Sequence, residues 1–583
     1  MKKIILYSWF AFALSACGDS KNGDANDSKS TKTDEAFNAF SERFVAALGK
    51  QHPEASTAAG FHGYDSLLTV HDEAQKAGEL AFNKAWLDSL NSFKIDELSP
   101  AYQIDFHLIE NRLQQSNWYA NDLQQGTWDP SMYNVSDVFA LMLNENYASL
   151  ETKLQNFHKR LLKVPAYYRA AKNNIKNPVA ELKQLGIDQN VGGISIFSAD
   201  FKDSLSKANI AADVKTAMLA AADSAVWAIK DYAQWLKNLK SDNPRSFRLG
   251  ENLYEQKFKY DIQSKFTAAE MYDMAVSRKT FLHQEMAKLS RQLWPKYFGS
   301  AAMPQDSLLL ISKLIDTLST NHTRPETFQS AIEQQIPLLI EFIKEKDLIY
   351  IDPAKPLVVR KEPAYMAGVA GASISAPGPY DKQGNTYYNV GSLEGWPTAK
   401  AESYLREYND YILQILNIHE AIPGHYTQLV YANQSPSIIK SLFGNGAMIE
   451  GWAVYTEQMM LENGYGNNEP EMWLMWYKWH LRTVCNTILD YSVHVRNMER
   501  DAALNLLTKE AFQQQAEAEG KWTRVTVSSV QLTSYYSGYK EIYDLRESYK
   551  KKMGKDFNLK AFHEKFLSYG SAPVKYIRQM MME

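Results

Sequence analysis

The chain has 583 residues and a formal net charge of −4, with 45% hydrophobic and 12% aromatic residues. Acids and bases are interspersed, which excludes the basic patch of a nucleic-acid-binding protein, and the apolar content excludes a disordered chain. Two cysteines, Cys17 and Cys485, are too few for a disulfide framework.

At the start, Lys2 and Lys3, an apolar run over 4–14 and Leu14-Ser15-Ala16-Cys17 have the layout of a secretory signal peptide. The run is too short to span a bilayer with margin. Its last four residues resemble the bacterial lipobox, which implies cleavage before Cys17 and lipidation of that residue in the mature protein. Residues 18–35 begin with small and polar residues through Ser30, so they are expected to form a flexible tether. Gly18 supplies no aspartate-type signal for inner-membrane retention, which points to the outer membrane. The expectation is a lipid-anchored envelope protein with a signal peptide over 1–17, a tether over 18–35 and a globular body over 36–583. Such a body suits one large core or two lobes sharing a cleft. If Cys17 is lipidated, Cys485 has no partner and reads as a small buried hydrophobe.

Helical periodicity dominates this body. Apolar residues recur at three- and four-residue spacing over 77–93, 101–123, 211–239, 268–293, 328–346 and 471–498. Pro100, Pro130, Pro165, Pro244, Pro304 and Pro325 fall between these runs, where helices start or loops turn. The stretch 357–390 differs. Short β-branched and aromatic pieces at 357–360, 368–375 and 386–390, with Gly378-Pro379 and 382–385 as turns, predict a small antiparallel sheet. Its edge suits either an extended peptide or a plain structural hairpin.

The next helix, expected over about 399–430, contains Asn417-Ile418-His419-Glu420-Ala421-Ile422-Pro423-Gly424-His425-Tyr426. Zinc binds imidazole nitrogen and carboxylate oxygen. A catalytic site needs three protein ligands and an open position, with a nearby carboxylate as general base. Histidines four residues apart lie about 40° apart on a helix, but the six-residue step from His419 to His425 turns about 600°, leaving them about 240° apart. Pro423 breaks helical hydrogen bonding and Gly424 tolerates unusual dihedrals, so a looped-out turn can return His425 to the metal. Glu450, twenty-five residues after His425, opens a further helix beyond the turn Gly444-Asn445-Gly446 and is the candidate third ligand. Glu457 lies two turns later on nearly the same face, placed to orient a liganding histidine.

With Asp490, His494 and the stretch 531–546, these residues resemble the bacterial domain-of-unknown-function family 885 over nearly the whole mature chain. The order His419, Glu420, Gly424, His425, Glu450, Glu457 is also distantly similar to thermostable carboxypeptidases and the thimet-oligopeptidase group, with Ile422-Pro423 as an insertion. That similarity implies a mostly α, zincin-like body with a deep channel or cleft, its catalytic part in about 350–583. It also implies a downstream tyrosine or histidine that steadies an oxyanion. Tyr535 and His494 are the candidates, with Asp490 four residues before His494 to set the ring's tautomer. Arg482 and Arg546 are weaker candidates for holding a substrate carboxylate.

Three functions fit these residues. The leading one is zinc-dependent hydrolysis of short peptides, with His419, His425 and Glu450 as ligands and Glu420 as general base. The others are a peptide- or ligand-binding lipoprotein without turnover, and a metal-dependent amide or ester hydrolase acting on another substrate.

Overall fold

The computed structural model describes residues 32–583 apart from 242–243, 356, 363–371, 382–384 and 436. The signal segment, Cys17 and nearly all of the tether lie outside the described residues, as does part of the expected strand at 368–375. Ordered chain begins with the helix Lys32–Gln51, a few residues before the first periodic position.

The protein is mostly helical, and the long periodic runs are helices close to their expected limits. Phe328–Lys346 matches its run, and 268–293 extends to Ala268–Phe298. Thr267 starts the latter through a capping box: its hydroxyl accepts from the Glu270 amide while the Glu270 carboxylate accepts from the Thr267 amide. Two hydrophobic clusters form. One gathers Leu68 and residues between Tyr133 and Leu236, and the larger one holds the remaining helices.

The continuous helix expected over 399–430 is three helices: Thr398–Glu407, α1 (Asp410–Glu420) and α2 (His425–Asn433). Asn409 causes the first break, because its side-chain oxygen caps the Tyr411 and Ile412 amides and so starts a new helix. The glutamate helix α3 (Gly446–Glu462) begins after Asn445, whose side chain accepts from the Met448 amide and donates to the Ile262 carbonyl. Next come α4 (Pro470–His494), α5 (Gln515–Val527) and α6 (Ser534–Met553). α4 is buried on every face from Thr483 to His494, the pattern of a helix enclosed by others.

The small sheet is mixed rather than antiparallel. Strands β1 (Leu357–Lys361), β2 (Ala372–Ser375) and β3 (Thr386–Val390) stand in the order β1-β3-β2. β3 pairs antiparallel with β2 but parallel with β1, because the returning strand inserts between the earlier two. The sheet is tied to the histidine helix by the Tyr388 hydroxyl, which donates to the Asn417 side chain at 2.9 Å; Asn417 in turn donates to Gln335 at 2.6 Å.

Helices α3 and α6 meet at two glycines. A Cβ on Gly451 would fall 2.2 Å from the Gly538 carbonyl carbon, and one on Gly538 would fall 1.7 Å from the Ala447 carbonyl oxygen. Both obstacles are backbone, so the helices touch only because neither position has a side chain. Gly538→Ala must force them apart and is expected to cost about 1–3 kcal/mol, the usual penalty for overpacking. Urea unfolding monitored by circular dichroism measures this, and an unchanged midpoint would refute the crossing.

Candidate metal centre

Glu420 ends α1, and the chain turns through residues 421–424 before His425 starts α2. The Asn417 carbonyl accepts from both the Ala421 and Ile422 amides, and the Ile418 carbonyl accepts from Gly424. The Ile422–Pro423 peptide is cis. Gly424 lies so close beneath α1 that a Cβ on it would sit 1.8 Å from the His419 carbonyl oxygen. This folded-back turn removes the angular mismatch of the six-residue interval. The two imidazoles become neighbours, their ring centroids 4.8 Å apart and their planes nearly perpendicular.

Glu450 completes the convergence from α3. Its Oε2 lies 3.7 Å from His419 Nε2 and 3.4 Å from His425 Nε2, and one ligand atom from each residue falls within 4.8 Å of the others. Donors about 2.0–2.1 Å from a tetrahedral zinc are about 3.3 Å apart, so the set fits that ion. Glu450 Oε2 is buried without a hydrogen-bond donor although two imidazoles face it. The His425 and Glu450 side chains keep 12% and 22% of their surface, so the cluster opens to solvent.

Glu457, two turns along α3, is fully buried, and its Oε1 lies 2.7 Å from His419 Nδ1. It also accepts from the Trp479 indole at 3.1 Å. His419 is thereby held with Nε2 facing Glu450, as a liganding histidine requires. Trp452 locks the turn from the other side by donating to the Pro423 carbonyl at 2.9 Å.

The charges are unbalanced. Burial works against charge on His419, but Glu450 and Glu457 outweigh it and raise the imidazole pKa to about 10. Burial likewise opposes ionisation of Glu450, yet the two histidines hold its carboxyl well below the usual range. Burial pushes Glu420 and Glu457 upward. Three carboxylates thus surround two imidazoles, a surplus of negative charge that a divalent cation balances. Glu420 makes no hydrogen bond among the described residues and is influenced electrostatically by His425, His419 and Glu450.

Tyr535, on α6, is half-buried beside this cluster. Burial and the Glu450 carboxylate push its phenol up to about 12, and its hydroxyl accepts from Arg524 at 3.3 Å. The Gly451–Gly538 crossing brings it there, since Tyr535 is one helical turn before Gly538.

His494 and Asp490 stand elsewhere. His494 Nε2 lies 2.9 Å from the carbonyls of both Val525 and Ser528, and its ring stacks on Tyr254. Asp490 accepts from the Tyr254 hydroxyl and the Val530 and Leu532 amides, so it anchors the loop before α6 rather than His494. Arg482 and Arg546 are engaged by carboxylates, Arg482 by Glu517 and Arg546 by Glu462 and Glu547. Cys485 is buried, and its thiol is pushed up to about 12 by that burial. A cavity of about 1110 Å³ lies away from these groups, lined by Arg112, His52, Tyr260, Tyr380 and Val430 among others. Missing from the sequence reading were Trp479, Trp452, Lys521 and Arg524. Glu517, Lys521 and Arg524 do form a visible i, i+4, i+7 stripe, but such a stripe ordinarily faces solvent.

Residues 53–581 match a family described as bacterial protein of unknown function (DUF885). The chain belongs to this family. A solved structure from Shewanella oneidensis, described as a lipoprotein of unknown function, is 53% identical, covering 94% of this chain and 100% of that one with a TM-score of 0.86. A second, from Colwellia psychrerythraea and also described as a lipoprotein, is 15% identical over 95% of this chain and 99% of that one, with a TM-score of 0.76, a likeness of fold alone. No curated protein matches the chain.

Because Glu457 orients His419, Glu457→Ala is expected to lower metal affinity about 10- to 100-fold. Gly424→Ala should lower it further by displacing the turn that carries His425. Competition titration with a zinc-binding dye measures both; parental affinity in both variants would rule out this centre.

Proposed function

We propose that the protein is a zinc-dependent hydrolase of peptide bonds, anchored by lipid to the bacterial envelope. The observation that carries the reading is the convergence of His419 Nε2, His425 Nε2 and an otherwise unpartnered Glu450 Oε2, with the free Glu420 carboxylate alongside.

His419, His425 and Glu450 would hold the ion. A zinc ion there supplies Lewis acidity and makes water a better nucleophile at neutral pH. Glu420 accepts the proton of the attacking water and delivers it to the leaving amine. Its burial suits that task, because a carboxyl with a raised pKa both takes and returns a proton near neutrality. Glu457 keeps the His419 ring in place throughout. The Tyr535 phenol remains protonated, which makes it a donor for the oxygen that gains negative charge as the carbonyl is attacked. His494 is too firmly held by backbone carbonyls to share that role.

Anchoring is supported by the lipobox-like residues ending at Cys17, by the two relatives described as lipoproteins, and by the absence of a helix long and apolar enough to cross a membrane among the described residues. Cys17→Ala should leave the precursor unprocessed or free the protein from the membrane fraction. Immunoblotting of fractionated cells reads this, and normal processing with full membrane retention would count against the anchor.

The catalytic reading is tested with purified protein, by metal analysis and by hydrolysis of a mixed pool of short peptides. Glu420→Gln is expected to keep zinc at one equivalent and to reduce turnover by about 100-fold or more, since an amide takes no proton from water. Glu450→Gln should instead lower zinc occupancy. Zinc at one equivalent without hydrolysis would leave a metal-binding protein rather than an enzyme, and parental rates in both variants would defeat the assignment.

A further inference from the structure

Beside the metal centre lies a second set of buried charges, of opposite sign. α4 contributes Lys478 and Arg482, and α5 contributes Glu517, Lys521 and Arg524 along one face. Two ion pairs are closed: Lys478 Nζ stands 2.8 Å from Glu407, and Arg482 Nη2 stands 2.6 Å from Glu517. Lys521 and Arg524 are left over. Lys521 is 4% exposed, and its nearest carboxylate is Glu517 at 3.9 Å, already engaged by Arg482. Arg524 donates to the Gln531 side chain at 2.6 Å and to the Tyr535 hydroxyl at 3.3 Å, both neutral, and pairs with no carboxylate among the described residues. Burying positive charge without a counter-ion is costly, so a surplus of this kind calls for an anion.

Its position says which anion. Arg524 bonds the tyrosine that stands beside Glu450. On the other side, the Trp479 indole bonds Glu457 while its ring carries the Arg482 guanidinium 4.8 Å from the ring centre. The cationic group is thus one side chain removed from the ligand cluster along two routes. We propose that Lys521 and Arg524 form a binding subsite for a substrate carboxylate adjacent to the bond being cleaved, so that the protein removes residues from the free carboxyl end of peptides. This deepens the proposed hydrolase function and rests on it. Arg524 presents a planar fork suited to a carboxylate, and Lys521 presents a point charge beneath it. Burial and the neighbouring Arg482 push the Lys521 ammonium down to about 7, the response of a cation short of counter-charge.

The test uses the zinc-loaded full-length protein and three peptides of one sequence: a free C-terminal acid, the C-terminal amide, and the amide with glutamate as its last residue. The acid should exceed the plain amide in kcat/KM by about tenfold or more, the worth of a charge-assisted hydrogen bond. In Arg524→Met and in Lys521→Met this ratio should fall towards one, with Arg524→Lys intermediate. A glutamyl amide as poor as the plain amide identifies the terminal carboxylate; one as good as the acid assigns the subsite to an acidic side chain and removes the carboxypeptidase reading. Equal rates on acid and plain amide in the parent, or an unchanged ratio in both methionine variants, overturn the subsite and leave the hydrolase intact. If no peptide is cleaved, the hydrolase reading fails, and the subsite is judged by calorimetry with the D-residue versions of the acid and plain amide. Tighter binding of the D-acid, lost in Arg524→Met, supports it, whereas equal or absent binding of the pair overturns it.

Discussion

Three consecutive residues of one helix tie the centre together. Glu450, Gly451 and Trp452 leave α3 about 100° apart, as successive helical positions do, and therefore reach three different neighbours. Glu450 faces the imidazoles, Gly451 rests against Gly538, and Trp452 holds the Pro423 carbonyl. The ligand, the helix bearing Tyr535 and the turn bearing His425 are thus referenced to one rigid element. Precision at the centre comes from this shared reference, because displacing α3 would move all three contacts at once.

Electrostatics adds a second layer of organisation. The metal-binding side has too many carboxylates, and the Lys521–Arg524 side has too many cations. They do not neutralise each other, since Trp479, Glu457 and Tyr535 stand between them. A low-dielectric wall between opposite surpluses produces a directed local field. A peptide terminus, with a polarisable carbonyl a short distance from a carboxylate, has the complementary charge order.

Much of this was legible in the residues alone. His419, Glu420, His425, Glu450 and Glu457 all stand together in the folded chain, because metal-ligating residue types at helical spacing leave a readable trace. The folded-back turn was also readable, since Pro423-Gly424 is incompatible with continuous helix. His494 and Asp490 looked similar to a catalytic pair, but an i, i+4 relation says only that two side chains share a face; here that face packs against Tyr254 and the loop at 528–532. The direction of β1 against β3 depends on strand order, which alternation does not encode. Lys521 and Arg524 were passed over because a charged stripe carries no mark of burial. Only the packing of α5 against α4 makes them unusual.

The glycines at 424, 451 and 538 separate two kinds of constraint that usually overlap. Each is closed to any side chain by a backbone atom, whatever chemistry the protein performs. The histidines and glutamates are constrained by charge and coordination instead. A homologue could therefore lose its reactivity through drift at the charged positions while still keeping all three glycines, and it would fold as before. Reading the two sets separately across relatives would sort catalysts from inert descendants: the glycines report ancestry of the scaffold, and the charged residues report whether the workshop inside is still in use.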